Sequence, residues 1–560
     1  MKIAVENFRS FERTGFLATS DLNIFIGKNS SGKSSLLRLF PLMKQTLANE
    51  TSQPFLWYSP DYVDFGEYED VIGSDKSKPI TFKYEFRLSA HSFYNSQHLF
   101  SNLNNFTYSR KLQIDEYLNE VLSLTDWNVN FQISTKKEYV SQIKFKVENV
   151  DILINLDKGT LLSFFINNSL IYDNERDGND EIIISPLKRN LVSVIDAVRV
   201  RNHSLFHMNS EFDRNTVESR ILFSHVFIYP EILKLLSSLF SNLGVKYPEV
   251  NDDLVKMIFI GDFLVLKREH LIKRFEQFLD ETFFINLYSD RKYTESHYKK
   301  LDEIVDLFIS SYINEFLVAV DTQLQNYFSK VKYIAPLRAT VQRYYRMQGI
   351  ALSEMDASGA NLPMILANMS PKSFESFQKW TMMHFGFSII RKRSHGHISI
   401  FIKFENQEAR NIIDLGFGYS QLLPIIVELW NTSKVDDFKK ISDRSPLTIV
   451  IEQPELHLHP AMQSDFIDVC VNIVQFNKSN KNKRKVNFII ETHSETLINR
   501  VSESIKKEKL EHESVTVNVV NIDSDYKSSV KSIGFDEDGD LLEWPIGFFS
   551  AEPIEYDYKY

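Results

Sequence analysis

An α/β fold interrupted by a long insertion follows from three features of the sequence. The apolar run Leu22 to Ile26 leads through a glycine-containing loop into an amphipathic stretch from about Lys33, a strand–loop–helix unit. Residues 331–560 alternate apolar runs (HISIFIKF, LTIVIE, VNFIIE) with helical stretches, the pattern of a parallel or mixed sheet covered by helices. Residues 80–330 contain only Gly159, Gly178, Gly244 and Gly261 of the chain's 18 glycines. The flanks, 1–79 and 331–560, are therefore expected to close into one α/β domain, with 80–330 as an insertion that is β-rich and then helical.

Each element has its own pattern. Lys2 to Val5 and Leu22 to Ile26 predict strands, and SLLRLFPLMKQTL predicts one helix. Between about Ile80 and Ile171, ITFKYEF, YVSQIKFKV and DILINL alternate apolar with polar residues, which predicts antiparallel strands. From about Leu191 to Val331 the spacing becomes helical, as in LDEIVDLFISSYINEFLVAV. No sustained heptads occur there, so no long coiled coil is expected.

Composition narrows the function classes. A chain of 560 residues with 43% hydrophobic and 25% charged side chains has room for several packed units and is not a disordered polymer. Its formal charge of −10 argues against a uniformly basic nucleic-acid coat and leaves only local patches for such contacts. Cys470 stands alone, which rules out an internal disulfide and a cysteine-rich metal site and suits a reducing compartment. The most apolar stretch, Ile221 to Phe240, is broken by His225, Pro230, Glu231 and Lys234, so no membrane span is expected. The opening MKIAVENFRSF places an acid and an arginine where a secretory signal needs an apolar core, and a cytoplasmic location is expected.

Gly27-Lys28-Asn29-Ser30-Ser31-Gly32-Lys33-Ser34 matches GxxxxGK[ST] between an apolar strand and a helix, the context a phosphate-binding loop requires. Backbone N–H groups from Gly27 to Lys33, with Ser35 behind them, would cradle phosphate; Lys33 would reach the β and γ oxygens, and the Ser34 hydroxyl would meet Mg²⁺. Leu447 to Glu455 reads as an apolar strand ending in a carboxylate, which makes Glu452 the expected second Mg²⁺ residue. In Asp414-Leu415-Gly416-Phe417-Gly418-Tyr419-Ser420-Gln421 two scarce glycines precede a serine and a helical run, a helix start suited either to an anion or to a plain cap. VNFIIE runs into Thr492-His493-Ser494, and His493 could touch the γ-phosphate or the attacking water, or simply pack.

This ordered set resembles the ABC-type P-loop ATPase heads of the SMC, Rad50 and RecF kind. In that family the glycine-serine signature of one subunit closes on ATP held by another, so the resemblance implies a homodimer through the heads, with ATP and Mg²⁺ as ligands and Gly416, Gly418, Ser420 and Gln421 contacting nucleotide. Glu452 to Pro460 (EQPELHLHP), Tyr333 to Arg338 (YIAPLR) and Trp544 to Phe549 (WPIGFF) narrow the likeness to bacterial predicted ATPases that include PtuA, the ATPase of Septu and some retron anti-phage systems. That likeness implies an HNH-type nuclease partner and, where a retron is present, a reverse transcriptase with its RNA and DNA. It covers about 1–75 and 330–550; the insertion has no counterpart.

One departure bears on mechanism. The Mg²⁺-binding acid of such heads is followed by a glutamate that handles the attacking water, whereas Gln453 follows Glu452 here. An amide cannot take up that proton, so either Glu455 substitutes or hydrolysis is slow. Arg338 is open to two readings, a phosphate sensor or a surface arginine. Lys478 to Lys485 places five cations in eight residues, either a solvated loop or a nucleic-acid contact, and Arg391-Lys392-Arg393 forms a smaller patch. Asp523 and Asp525 have no acidic strand beside them, so nuclease activity of the chain itself is not expected. The alternative to a defence subunit is a RecF-like DNA clamp that acts without an effector.

Overall fold

The structure, a computed structural model, describes residues 1–17, 19–51, 53–89, 126–175, 180–185, 194–200, 229–242, 268–269, 271–272, 294–310, 313–347, 354–434, 445–480 and 483–543. Trp544 to Phe549 and Lys481 lie outside them. Two compact units result: Lys2–Asn49, Phe55–Lys78 and Gln325–Tyr560 form one, and Pro79–Leu324 with Met1 and Glu50–Pro54 forms the other.

The first unit is built on a six-stranded sheet: β1 (Leu22–Gly27), β2 (Val331–Ile334), β3 (Leu447–Glu452), β4 (Val486–Glu491), β5 (Val515–Ile522) and β6 (Ser528–Ile533). Their order is β2-β3-β4-β1-β5-β6, parallel except for β6, which runs antiparallel to β5. Every residue of β1, β3 and β4 is buried. Strands covered on both faces read as continuous apolar runs, which is why LTIVIE and VNFIIE do not alternate. The register sets Glu452 of β3 opposite Glu491 of β4, and Glu491 opposite Phe25 of β1. Two carboxylates therefore end adjacent strands at the carboxyl edge of the sheet, beside the loop that leaves β1, where open α/β sheets bind ligands.

Helices that flank the sheet include α1 (Lys33–Leu37), α2 (Leu39–Ala48), α3 (Pro371–Phe385), α4 (Phe417–Ser433), α5 (Pro460–Ser479) and α6 (Glu495–Lys506). The single helix expected over SLLRLFPLMKQTL is two, because Pro41 has no N–H to give the Leu37 carbonyl and its ring crowds that turn. The starts of α3, α5 and α6 are capped by Ser370 Oγ, His459 Nδ1 and Ser494 Oγ, which accept from backbone N–H groups of Ser373, Ala461 and Leu497, as capping chemistry favours. The core joins Ile24, Ile451, Phe488 and Ile490 of the sheet to Leu423, Phe466 and Cys470 of the helices. Burial pushes the Cys470 thiol up, so it behaves as a core hydrophobe.

HISIFIKF lies outside this sheet. His397–Phe404 pairs antiparallel with Phe387–Ser394, and the two-residue turn His395-Gly396, with φ of 46° and 78°, closes the hairpin. A turn that short joins only antiparallel neighbours, and the hairpin belongs to a separate sheet, which corrects the expectation that HISIFIKF shares the parallel or mixed sheet of LTIVIE and VNFIIE.

The second unit carries an antiparallel sheet. Ile80–Ser89, Asp126–Thr135, Val140–Val147, Val150–Asp157, Thr160–Ile166, Asp180–Ser185 and Val194–Val200 follow one another across it, with Ser169–Asp173 paired beside Thr160–Ile166. Strand structure thus extends to Val200, past the point near Leu191 where helices were expected; VIDAVRV is rich in β-branched residues. Tyr229–Asn242, Glu295–Ser310 and Ile313–Phe328 are helices. The buried Asp306 carboxylate accepts from Asn167 Nδ2 at 2.8 Å and Ser169 Oγ at 2.7 Å, fastening a helix to a hairpin turn.

Candidate functional site

The loop after β1 turns sharply. Gly27 has φ 155°, and a Cβ there would run into the carbonyl of Val520, so the position requires glycine. Lys28, Asn29 and Ser30 form the exposed tip, and Ser31 is fully buried with its hydroxyl unpartnered. The Lys33 ammonium, 4% exposed, donates to the carbonyls of Gly27 at 2.9 Å and Lys28 at 2.8 Å. Burial lowers its pKa, and the Glu491 and Glu455 carboxylates pull it back up. The Ser35 hydroxyl accepts from Arg9 Nη1 at 3.2 Å.

The acids at the sheet edge are arranged differently from the expected pairing of Ser34 with Glu452. Ser34 Oγ donates to Glu491 Oε1 at 3.0 Å. Glu491 is 2% exposed and its Oε2 has no partner. Burial, then the charge of Glu452, push this carboxyl up to about 7 against the opposing pull of Ser34, Lys33 and Arg38. Glu452, 1% exposed, is held by Arg38, whose Nε and Nη2 each donate at 2.8 Å to its two oxygens, and by the Tyr333 hydroxyl at 2.7 Å. The cause is strand order: β4 lies between β3 and β1, so the end of β4 comes nearest the loop.

Past the strand ends the segments that follow β3 and β4 are tied to each other. Gln453 takes a left-handed φ of 46° and donates its N–H to the Glu491 carbonyl at 2.8 Å. Glu455 Oε1 accepts the His493 N–H at 2.8 Å, while its Oε2 is buried without a partner. Burial raises the Glu455 carboxyl, with the His493 N–H, the Thr492 hydroxyl and Arg338 opposing. Burial and then the charge of Lys33 lower the His493 imidazole, which favours its neutral form at pH 7.

Arg338 is an interior residue and not a surface one. It is 6% exposed, donates from Nη2 to the carbonyls of Glu452 at 2.9 Å and Gln453 at 3.4 Å, and leaves Nε and Nη1 unpartnered. Burial lowers its pKa to about 10. The glycine-serine segment presents less than expected: Ser420 Oγ donates back to the Phe417 carbonyl at 2.6 Å, and Gln421 Nε2 reaches the Arg338 carbonyl at 3.5 Å. Both side chains are buried because they occupy the first turn of α4 on its core side. Gly416, with φ 85°, and Gly418, where a Cβ would meet the His457 carbonyl at 2.7 Å, remain at the start of that helix.

The basic patches are largely occupied. Lys478 and Lys485 pair with the buried Asp21 at 3.0 and 2.9 Å, Lys478 also with Glu511 at 2.7 Å, and Arg484 donates to the Ser445 carbonyl at 3.0 Å. Arg391 and Arg393 donate to the Ala367 carbonyl, and Lys392 lies 4.4 Å from the centre of the Phe401 ring.

Sequence reasoning missed Glu491, Arg38 and Tyr333. The signal for Glu491 was present, since VNFIIE and LTIVIE are alike, both apolar and both ending in glutamate; only the second was read as an acid site. Among the described residues no group of three His, Cys, Asp or Glu side chains could hold a metal. Mg²⁺ at phosphates needs only one or two protein oxygens, with water and phosphate supplying the rest, and Ser34 with a strand-end carboxylate meets that need. No described helix is long and apolar enough to cross a membrane.

Among solved structures the chain is similar to an SMC head domain with an extended coiled coil, bound to the C-terminal domain of ScpA, from Pyrococcus furiosus (13% identity, 95% of this chain and 96% of that chain, TM-score 0.33). It is also similar to the SMC head domain from Thermotoga maritima (10% identity, 95% and 97%, TM-score 0.31). A third is an SMC head bound to the C-terminal winged-helix domain of ScpA (10% identity, 95% and 97%, TM-score 0.34). No curated protein matches it. The AAA ATPase domain model matches residues 1–498, and the chain belongs to that ATPase family.

Proposed function

We propose that the protein binds ATP with Mg²⁺ at Gly27–Ser34, hydrolyses it slowly, and serves as the ATPase subunit of a bacterial anti-phage complex that controls a partner nuclease. One observation supports the ATP reading above the others: Lys33 and Ser34 at the loop stand with Glu455, His493 and Glu491, and buried oxygens of both glutamates have no partner. Unpaired buried polar atoms are costly, and a phosphate with its water and metal supplies partners for them. Mg²⁺ when bound neutralises charge on the β- and γ-phosphate oxygens. Lys33 contributes a fixed cation to the same oxygens, and the loop's backbone N–H groups orient them. The Gln453 amide cannot take the proton of the attacking water, which keeps hydrolysis slow; in the turnover that remains the proton passes to Glu455 Oε2, two residues on. Neutral His493, whose backbone N–H is anchored to Glu455, orients that water through its imidazole.

Two copies are expected to close on ATP, the start of α4 in one meeting the phosphate loop of the other through the backbone at Gly416 and Gly418, with Phe417 exposed between them. The defence role, with an HNH-type nuclease or a reverse transcriptase as partner, rests on the resemblance carried by the EQPELHLHP and YIAPLR segments.

Calorimetric titration with ATP and Mg²⁺ tests the central reading: Lys33→Ala should remove binding, and unchanged affinity would overturn it. Glu455→Gln should cut hydrolysis by about a hundredfold or more with nucleotide still bound. Single-turnover hydrolysis faster than about 1 s⁻¹, unaltered by Gln453→Ala, contradicts slow turnover. Co-expression with neighbouring gene products reads the partner; ATP-dependent DNA binding by the chain alone, with no co-purifying neighbour, favours the clamp instead.

A further inference from the structure

We propose that Glu491, and not Glu452, is the carboxylate that meets Mg²⁺ beside Ser34. This rests on the reading of Gly27–Ser34 as an ATP site and goes beyond it by assigning the metal to a residue at the end of the middle strand.

Three observations carry it. The first is topological: β4 separates β3 from β1, and Glu491 sits opposite Phe25, two residues before Gly27, whereas Glu452 lies one strand farther out. The second is the hydroxyl itself, since the P-loop serine turns to the metal and Ser34 Oγ is already on Glu491 Oε1 at 3.0 Å. The third is the state of the two carboxylates. Glu491 is 2% exposed with Oε2 unpartnered, an arrangement that a dication at Ser34 relieves. Glu452 has both oxygens committed to Arg38 and one also to Tyr333. To serve the metal it would have to give up two charge-assisted bonds and leave the Arg38 guanidinium half-buried without its partner. Glu452 is thus a positioning residue that holds the end of β3 and, by its charge, the setting of Glu491.

The test uses the full-length protein, a fluorescent non-hydrolysable ATP analogue, and two buffers, one with EDTA and one with Mn²⁺. Wild type should bind the analogue at least about tenfold more tightly with Mn²⁺. In Glu491→Gln that gain should shrink by about ten- to a hundredfold, while metal-free affinity holds or tightens, because a negative charge beside the phosphates has gone. A purely structural role for Glu491 would weaken binding in both buffers and overturns the proposal, as does a Glu491→Gln protein that keeps the full gain. Glu452→Gln should keep the Mn²⁺ gain and unfold at lower urea; loss of the gain there, with Glu491→Gln unaffected, restores Glu452 as the ligand. If Glu491→Gln does not fold, Glu491→Asp should lose part of the gain, and an unaltered gain overturns the assignment. Wild type that binds the analogue in neither buffer refutes the ATP reading, whereas wild type that binds it, beside a Glu491 variant with undiminished gain, refutes this inference alone.

Discussion

Arg38 decides which acid at the sheet edge is available for chemistry. Its guanidinium makes a two-pronged pair with Glu452, and burial, which alone would lower its pKa, is outweighed by that carboxylate so that the net shift is upward. Removing one partner of a buried pair leaves the other charged and unpaired. Arg38→Leu is expected to cost about 3 kcal/mol in urea unfolding, with Glu452→Gln in the same background recovering part of it. An additive double mutant would show that the pair contributes nothing beyond packing. None of this is visible in the motif, because Arg38 and Glu452 are far apart in sequence and a helix-surface arginine there looks ordinary.

The start of α4 is the element on which the head-closing reading depends. Gly418 packs against the backbone of the turn after β3, with room for hydrogen and none for a methyl group. Gly418→Ala should displace either that turn or the helix and destabilise the fold by about 1–3 kcal/mol, read as a lower unfolding midpoint. Chain dimerisation in ATP, measured by sedimentation, should weaken with it, while nucleotide binding to the single chain is retained. Pro41 acts on the other side of the site: by ending α1 it lets the chain turn at Arg38, which places that side chain on Glu452. Here the sequence was legible in part. Proline as a breaker is readable, but the patterned SLLRLFPLMKQTL masks it, since apolar spacing continues across the break.

Across the molecule, Asp21 links three elements of the sheet unit by receiving Lys478 from the end of α5 and Lys485 from before β4, just ahead of β1. Burial works to raise its carboxyl pKa, yet the hydrogen bonds and charges of Lys485 and Lys478 prevail and hold it below the ordinary 3.8. A folded pKa below the unfolded one means that the stabilisation is complete above about pH 4 and is lost as pH falls through the folded value. Asp21→Asn should therefore lower stability by about 1–3 kcal/mol at pH 7, and the gap from wild type should begin to narrow as pH falls below about 4 and go on narrowing towards the depressed folded pKa; a gap that does not narrow on acidification would show that the pairs contribute nothing. These same pairs occupy two of the cations in the Lys478 to Lys485 run, which reads as a free basic patch when its acids are out of view.

The strand–loop–helix at Gly27–Ser34, the apolar strands ending in acids and the separate, glycine-poor middle were all legible in the chain, because each is a local matter of spacing, backbone freedom and side-chain type. Partner choice was not. Whether Ser34 meets Glu452 or Glu491, whether Arg338 lies inside or out, and whether Ser420 faces solvent or its own helix all depend on which strand lies next to which. Glu452 and Glu491 end near-identical apolar runs, so local sequence gives them equal claim to Ser34. The order β3-β4-β1 breaks that equality, because it sets the end of β4 next to β1 and brings Glu491 within hydrogen-bond reach of Ser34.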